Sequence, residues 1–300
     1  MRSPFTRTQS PDRKDDRETT MRTRRLLLTV LTLFSVVGAP AIARAQVDRN
    51  AWVIKGGGLF ASFGSDIRID ATTDRGGRSS DISLETDLGF DKSNQQFFVD
   101  ALWSGKGKSR VHVAYTSVSR DIANSVVHRT ITFRDKTFDV GTHVDAYFDS
   151  KYISADYGLA FVRKPTSEFG AYAGVTVMKF QTGVNLSANV NGGSTVSRDV
   201  AGNEEITAPV PLVGIFFHLR PQPKLNIDGS WRFIAASIGD FTGNASEAEV
   251  GVDYTLFGIL GVGGAYYYNI SSFTAKGTPF GGHVTYRFNG PQVYGVVRFK

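Results

Sequence analysis

The chain has 300 residues and no cysteine; it is rich in glycine (32) and phenylalanine (22), with 11 tyrosines and three methionines. The lack of cysteine excludes thiolate metal centres, a cysteine nucleophile and a lipid anchor on cysteine, and glycine spread among aromatics suits many strands and tight turns better than packed helices. The formal charge of +6 excludes less than it suggests: residues 1–45 hold nine Lys/Arg against four Asp/Glu, and the remaining 25 basic and 24 acidic residues leave no basic excess to neutralise nucleic-acid phosphates.

Residues 1–20 are polar and charged with no apolar periodicity and read as an unstructured upstream extension, either a start-site artefact or a long n-region, with Met21 as the natural start. Residues 21–45 read as a signal peptide. Arg22, Arg24 and Arg25 form a positive n-region, residues 26–39 an apolar stretch too short to span a membrane, and Pro40 breaks any helix. Ala43 and Ala45 then give a small-x-small cleavage site before Gln46. The export route places the folded domain, residues 46–300, beyond the inner membrane.

From Ala51 onward the dominant period is two, the signature of strands. In chain order, Phe97, Val99, Ala101 and Trp103 alternate with Gln96, Phe98, Asp100 and Leu102. Ile153, Ala155, Tyr157, Leu159 and Phe161 alternate with Ser154, Asp156, Gly158 and Ala160. Leu225, Ile227, Gly229, Trp231 and Phe233 alternate with Asn226, Asp228, Ser230 and Arg232. Val250, Val252, Tyr254 and Leu256 alternate with Glu249, Gly251, Asp253 and Thr255, and Val284, Tyr286 and Phe288 with His283, Thr285 and Arg287.

A soluble sandwich alternates too, but here the connections also alternate in length. Short ones lie near residues 105–108, 164–167, 220–224 and 258; long polar stretches lie near 65–93, 120–142, 188–208, 238–248 and 271–282. Short periplasmic turns opposite long extracellular loops are the pattern of a transmembrane barrel. The expected fold is therefore all-β: an antiparallel up-and-down barrel of ten strands, with a range of eight to twelve, and both termini on the periplasmic side. Trp52, Trp103, Tyr157, Phe161, Phe169, Trp231, Tyr254, Tyr286 and Phe299 fall on the outward phase, where aromatics form interfacial girdles.

Several stretches carry a resemblance: residues 84–91 (LETDLGFD), 115–120 leading to 131–138 (ITFRDKTF), Gly141-Thr142-His143-Val144 with Phe148-Asp149, and the closing Gly290-Pro291-Gln292-Val293-Tyr294. With its aromatic-terminated last strand, in which Phe299 is penultimate, the chain resembles a widespread group of uncharacterised Gram-negative outer-membrane β-barrel proteins. The resemblance implies the fold and an outer-membrane location, and no catalytic residues to carry over.

The inward phase supplies the candidate lumen charges Lys55, Asp100, Arg110, Asp156, Arg220, Asp228, Arg232, Glu249, Asp253 and Arg287, with His112, His218 and His283 among them. Charges of both signs in a narrow lumen are expected to pair, because an unpaired buried charge costs several kcal/mol. The expectation is a largely plugged polar lumen and a structural, non-enzymatic envelope role. A narrow channel for small solutes is the first alternative, and an outer-membrane hydrolase (protease or lipid A-modifying) the second. His143 and Asp145 share a strand face, but no second carboxylate or Ser–His–acid set accompanies them. The histidines at 112, 128, 143, 218 and 283 show no ligand spacing, and Gly56-Gly57-Gly58 has no Gly-Lys-Ser/Thr after it, so neither metal nor cofactor is expected. The expected partners are outer-membrane lipid and lipopolysaccharide, with Arg120, Arg129, Arg134 and Lys136 as candidate phosphate contacts, and periplasmic chaperones and barrel-assembly machinery during biogenesis.

Overall fold

The computed structural model describes residues 50–70, 81–133, 136–190, 194–238, 241–275 and 281–300. The leader, with Ala43, Ala45 and Gln46, lies outside them, as does Arg134. In chain order the strands are β1 (Ala51–Asp70), β2 (Ile82–Ser83), β3 (Ser93–Ser104), β4 (Ser109–Val126), β5 (Ile131–Phe133), β6 (Lys136–Phe138), β7 (His143–Arg163), β8 (Ser167–Val190), β9 (Ser194–Gln222), β10 (Leu225–Ile238), β11 (Phe241–Phe257), β12 (Leu260–Ala275) and β13 (Gly281–Phe299).

Ten of these are long. They run β1, β3, β4, β7, β8, β9, β10, β11, β12, β13, each antiparallel to the next, and β13 pairs back onto β1 from Trp52↔Phe299 to Asp70↔Gly281. The sheet is a closed up-and-down barrel. Closure satisfies the backbone hydrogen bonds between strands and leaves no edge. The short strand β2 adds to β1 at Asp66 and Ile67, and β5 and β6 form a separate ribbon in the connection between β4 and β7.

The strands change character along their length. In the lower part of β7, towards the short turns, Ile153, Tyr157, Leu159 and Phe161 are exposed outward while Ser154 and Asp156 are buried inside. Higher on the same strand the pattern inverts: His143, Asp145 and Lys151 face out, and Val144, Phe148 and Tyr152 face in. A nine-residue apolar run at the usual barrel tilt covers roughly 20 Å, about the height of an outer-membrane apolar band. Above it the outside of the barrel meets water, and the strand reverts to the polar-out, apolar-in pattern of a soluble protein.

This inversion corrects two expectations. The polar stretches at 188–208, 238–248 and 271–282 are not mainly loops: most of their residues extend β8, β9, β11, β12 and β13 beyond the band. In β13 the phase is reversed near residue 286. Tyr286 and Phe288 are buried in the interior and Arg287 is exposed, so Tyr286 belongs to no outward girdle. Trp52, Tyr157, Phe161, Phe169, Trp231, Tyr254 and Phe299 are exposed on the outer face.

Candidate functional site

The interior is the place where the sequence concentrates chemistry, and it has two layers. The lower layer is ionic. Lys55 on β1 reaches across to Asp228 on β10 (Nζ–Oδ2 3.4 Å), whose other oxygen accepts from His218 Nδ1 at 2.5 Å. His112 on β4 has carboxylates at both ring nitrogens, Asp156 at Nδ1 (2.8 Å) and Asp100 at Nε2. Arg232, from β10, closes on His112 (Nη2–Nδ1 2.9 Å) and lies 3.6 Å from Glu247. Arg110 donates to Glu168 at 3.0 Å, and Arg298 to Asp253 at 2.7 Å, with the Asn226 amide on the second Asp253 oxygen.

Strand register explains why these groups meet. Every second residue points inward, so side chains from nine strands meet in the lower part of the lumen. A register shift between Ala160 and Val162 adds a bulge to β7, so that Phe161 and Val162 both face out and Arg163 turns in, beside Glu168 (Nε–Oε2 3.6 Å). The ions are also packed on rings: Arg110 over Phe216 (4.6 Å), Lys55 over Tyr294 (5.2 Å) and Arg232 over Tyr172 (5.6 Å). Tyr172 and Phe216 stack with centroids 6.0 Å apart and lie flat against the wall at Gly170 and Gly214, where a Cβ would come within 2.5 Å of their ring atoms.

The second layer, above the first, is aromatic. Phe148 of β7 meets Tyr286 of β13 at 5.1 Å between centroids, Tyr152 meets Phe288 at 6.4 Å, and Phe180 meets Phe273 at 5.8 Å. Residues 81–92 then fold into the mouth, burying Leu84, Leu88 and Phe90 on the same cluster. Their anchor is Arg120, which donates to Glu85 (2.8 Å), Ser65 Oγ (3.0 Å) and the Asp91 carbonyl (2.8 Å) while stacking on Phe63. Nearer the surface Arg129 grips Asp87 with two bonds, 2.6 and 3.0 Å. Burial works against that carboxylate, but the Arg129 bonds and the Ser83 N–H outweigh it and hold Asp87 below the ordinary carboxylate range.

The lower layer leaves cavities of about 80 Å³ and about 40 Å³, which share Lys55, Asp100, Arg110 and Asp228 in their walls. That is room for a few waters, against roughly 300 Å³ or more for a small-molecule pocket.

Of the lumen charges expected from sequence, Lys55, Asp100, Arg110, Asp156, Asp228, Arg232 and Glu249 line the larger cavity together with His112. Asp253 and His218 lie just below. Arg220 instead turns to the Pro223 carbonyl in the β9–β10 turn (2.7 Å). Arg287 is exposed, and His283 bonds Thr274 and Thr285 on the outward phase. Glu168, Glu247, Arg163 and Arg298 were missed; their inward phase was readable only once the register of their strands was known. His143 is exposed, and Asp145 accepts the Asn124 backbone N–H at 2.7 Å. Arg120, expected at the rim against lipid phosphates, is instead buried inside.

No family model matches the chain, and no curated protein does either. Solved structures do. The outer-membrane protease OmpT of Escherichia coli superposes over 83% of this chain and 97% of its own, with a TM-score of 0.54 and 10% identity. The fold is that of an outer-membrane β-barrel. The translocator domain of the autotransporter NalP from Neisseria meningitidis covers 94% of this chain and 96% of its own at TM-score 0.45 and 12% identity. Ail, the attachment invasion locus protein of Yersinia pestis, covers 84% and 100% at 0.34 and 13%. At these identities the likeness concerns the fold alone. The outward apolar band on that fold places the chain in the outer membrane of a Gram-negative envelope.

Proposed function

We propose that this protein is a non-conducting, non-enzymatic outer-membrane barrel with a structural role in the envelope. The observation that carries the reading is that contacts cross the lumen at several heights, between strands four places apart in the ring. They include Lys55–Asp228 and Arg232–His112 below, and Phe148–Tyr286 above. An ion-paired floor, an aromatic belt and an inserted loop are three barriers in series, and each stiffens the wall it joins.

The test is planar-bilayer conductance of refolded protein that migrates differently before and after boiling. A heat-modifiable barrel that gives no current steps supports the reading. Discrete, reproducible steps would replace it with a narrow solute channel.

A further inference from the structure

The strand wall is interrupted at one place above the apolar band. β1 pairs with β3 as far as Ser62↔Ser93 and β3 with β4 as far as Phe97↔Ser117, yet β1 runs on to Asp70 and β4 to Val126. Among the described residues no long strand stands between these upper halves. Residues 81–92 fill the gap, tied to β1 by the Leu84 N–H on the Ser65 carbonyl (2.9 Å) and by the Phe63 N–H on the Lys92 carbonyl (2.8 Å). At the foot of the gap a groove of about 380 Å³ is lined by Phe60, Ala61, Ser62, Ser93, Asn94 and Gln95. Phe60, Ser62, Ser93 and Gln95 are exposed, so the groove opens on the outer face, and the exposed Phe60 and Phe97 rings set it at the top of the apolar band. At its back the Asn94 amide donates to the carbonyl of Ser119, the residue before Arg120, at 2.7 Å.

Behind the groove the wall supplies the donors, and the inserted segment supplies a carboxylate with apolar neighbours. Glu85 accepts from Arg120 on one oxygen (2.8 Å) and from the Ser65 backbone N–H on the other (2.8 Å). That N–H is available because β1 has left its β3 partner behind at Ser62. Leu84, Leu88 and Phe90 lie in the same apolar cluster as Phe63, Val118 and Tyr286 of the wall. A buried arginine in such a cluster requires an anion. A single-chain amphiphile offers what the segment offers, one carboxylate and an apolar tail. We propose that Arg120 and the Ser65 N–H form a binding site for a carboxylate-headed amphiphile, entered from the membrane boundary through the groove, and that residues 81–92 occupy the site in its absence. The site lies above the aromatic belt, so it goes beyond the closed-lumen reading without opening the lumen.

The experiment uses the full chain, refolded, heat-modifiable and held in lipid nanodiscs, with dodecanoate as the probe and dodecanol as its uncharged counterpart. Native mass spectrometry reads retention, and amide hydrogen exchange reads the place. Wild type should retain dodecanoate and not dodecanol, with faster exchange in residues 81–92 and unchanged exchange in β10. Glu85→Gln removes the competing carboxylate and should retain dodecanoate at about tenfold lower concentration. Glu85→Gln/Arg120→Gln should lose it. Equal retention by Glu85→Gln and the double variant overturns the proposal, as does retention that leaves exchange in residues 81–92 unchanged. No retention by wild type and Glu85→Gln alike overturns it too, and equal retention of dodecanol overturns the role of the Arg120 charge. The ten paired strands do not depend on Glu85, so Glu85→Gln should stay heat-modifiable. If it does not, dodecanoate against dodecanol on wild type, read by exchange in residues 81–92, carries the same test.

Discussion

Arg232 shows what one side chain does inside a closed barrel. It lies beside His112, Asp156, Glu247 and the Tyr172 ring, so shortening it takes the neighbouring cation from Glu247 and leaves Asp156 with His112, in a space with little water. Removing one member of such a buried set typically costs about 3–5 kcal/mol, whereas replacing both partners with apolar residues is often close to neutral. Arg232→Ala should therefore lower the temperature at which the compact band converts to the unfolded one in gel electrophoresis. Lys55→Met/Asp228→Leu should lower it less than Asp228→Ala alone, because only His218 then loses its carboxylate partner. Asp87 works differently, because it ties down the inserted loop from the outside. Its carboxyl is held below the ordinary range in the folded protein, so the stabilisation it supplies is present above about pH 4 and is lost as pH falls through the lowered folded value. Amide hydrogen exchange in residues 81–92 should accelerate at that acidic end, and Asp87→Asn should show the faster exchange already at neutral pH.

At the scale of a strand, the informative feature is the switch from apolar-out to apolar-in along one continuous element. β9 runs for 29 residues, longer than any membrane crossing requires, with Val213 exposed in the band and Thr207 exposed at its upper boundary. A charge at the middle of the band costs about 2–4 kcal/mol, falling to about 0–1 near the interface. Val213→Arg should accordingly destabilise the refolded barrel in urea titrations in lipid by that larger amount, and Thr207→Arg scarcely at all. Equal effects at the two positions would mean that the band has been drawn at the wrong height. The bulge in β7 makes a related point, since one extra residue brings Arg163 into the interior next to Glu168.

For the whole molecule, the proposed closed lumen has three barriers in series, which makes that closure redundant. Deleting residues 81–92 removes Leu84, Leu88 and Phe90 from the mouth but leaves Phe148 against Tyr286 and Tyr152 against Phe288 below it. The shortened barrel should still be silent in planar bilayers. Current from the loop deletion alone would locate the only effective barrier in that loop and remove the aromatic belt from the account.

The amino-acid sequence by itself determined that this is a barrel of ten strands with short turns on one side, because period-two alternation and turn spacing are local properties that each strand carries independently. It also determined much of the ionic floor: within the band, polar residues on the inward phase have nowhere to go but the lumen, which is why Lys55, Asp100, Asp156 and Asp228 were legible. What only the tertiary structure decided lies above the band and at the bulges. There the solvent outside changes from lipid to water, the meaning of an apolar phase reverses, and Tyr286 and Arg287 exchange sides. Lys55 meets Asp228 and Arg232 meets His112 from strands four places apart in the ring, and that proximity exists only once the sheet has closed.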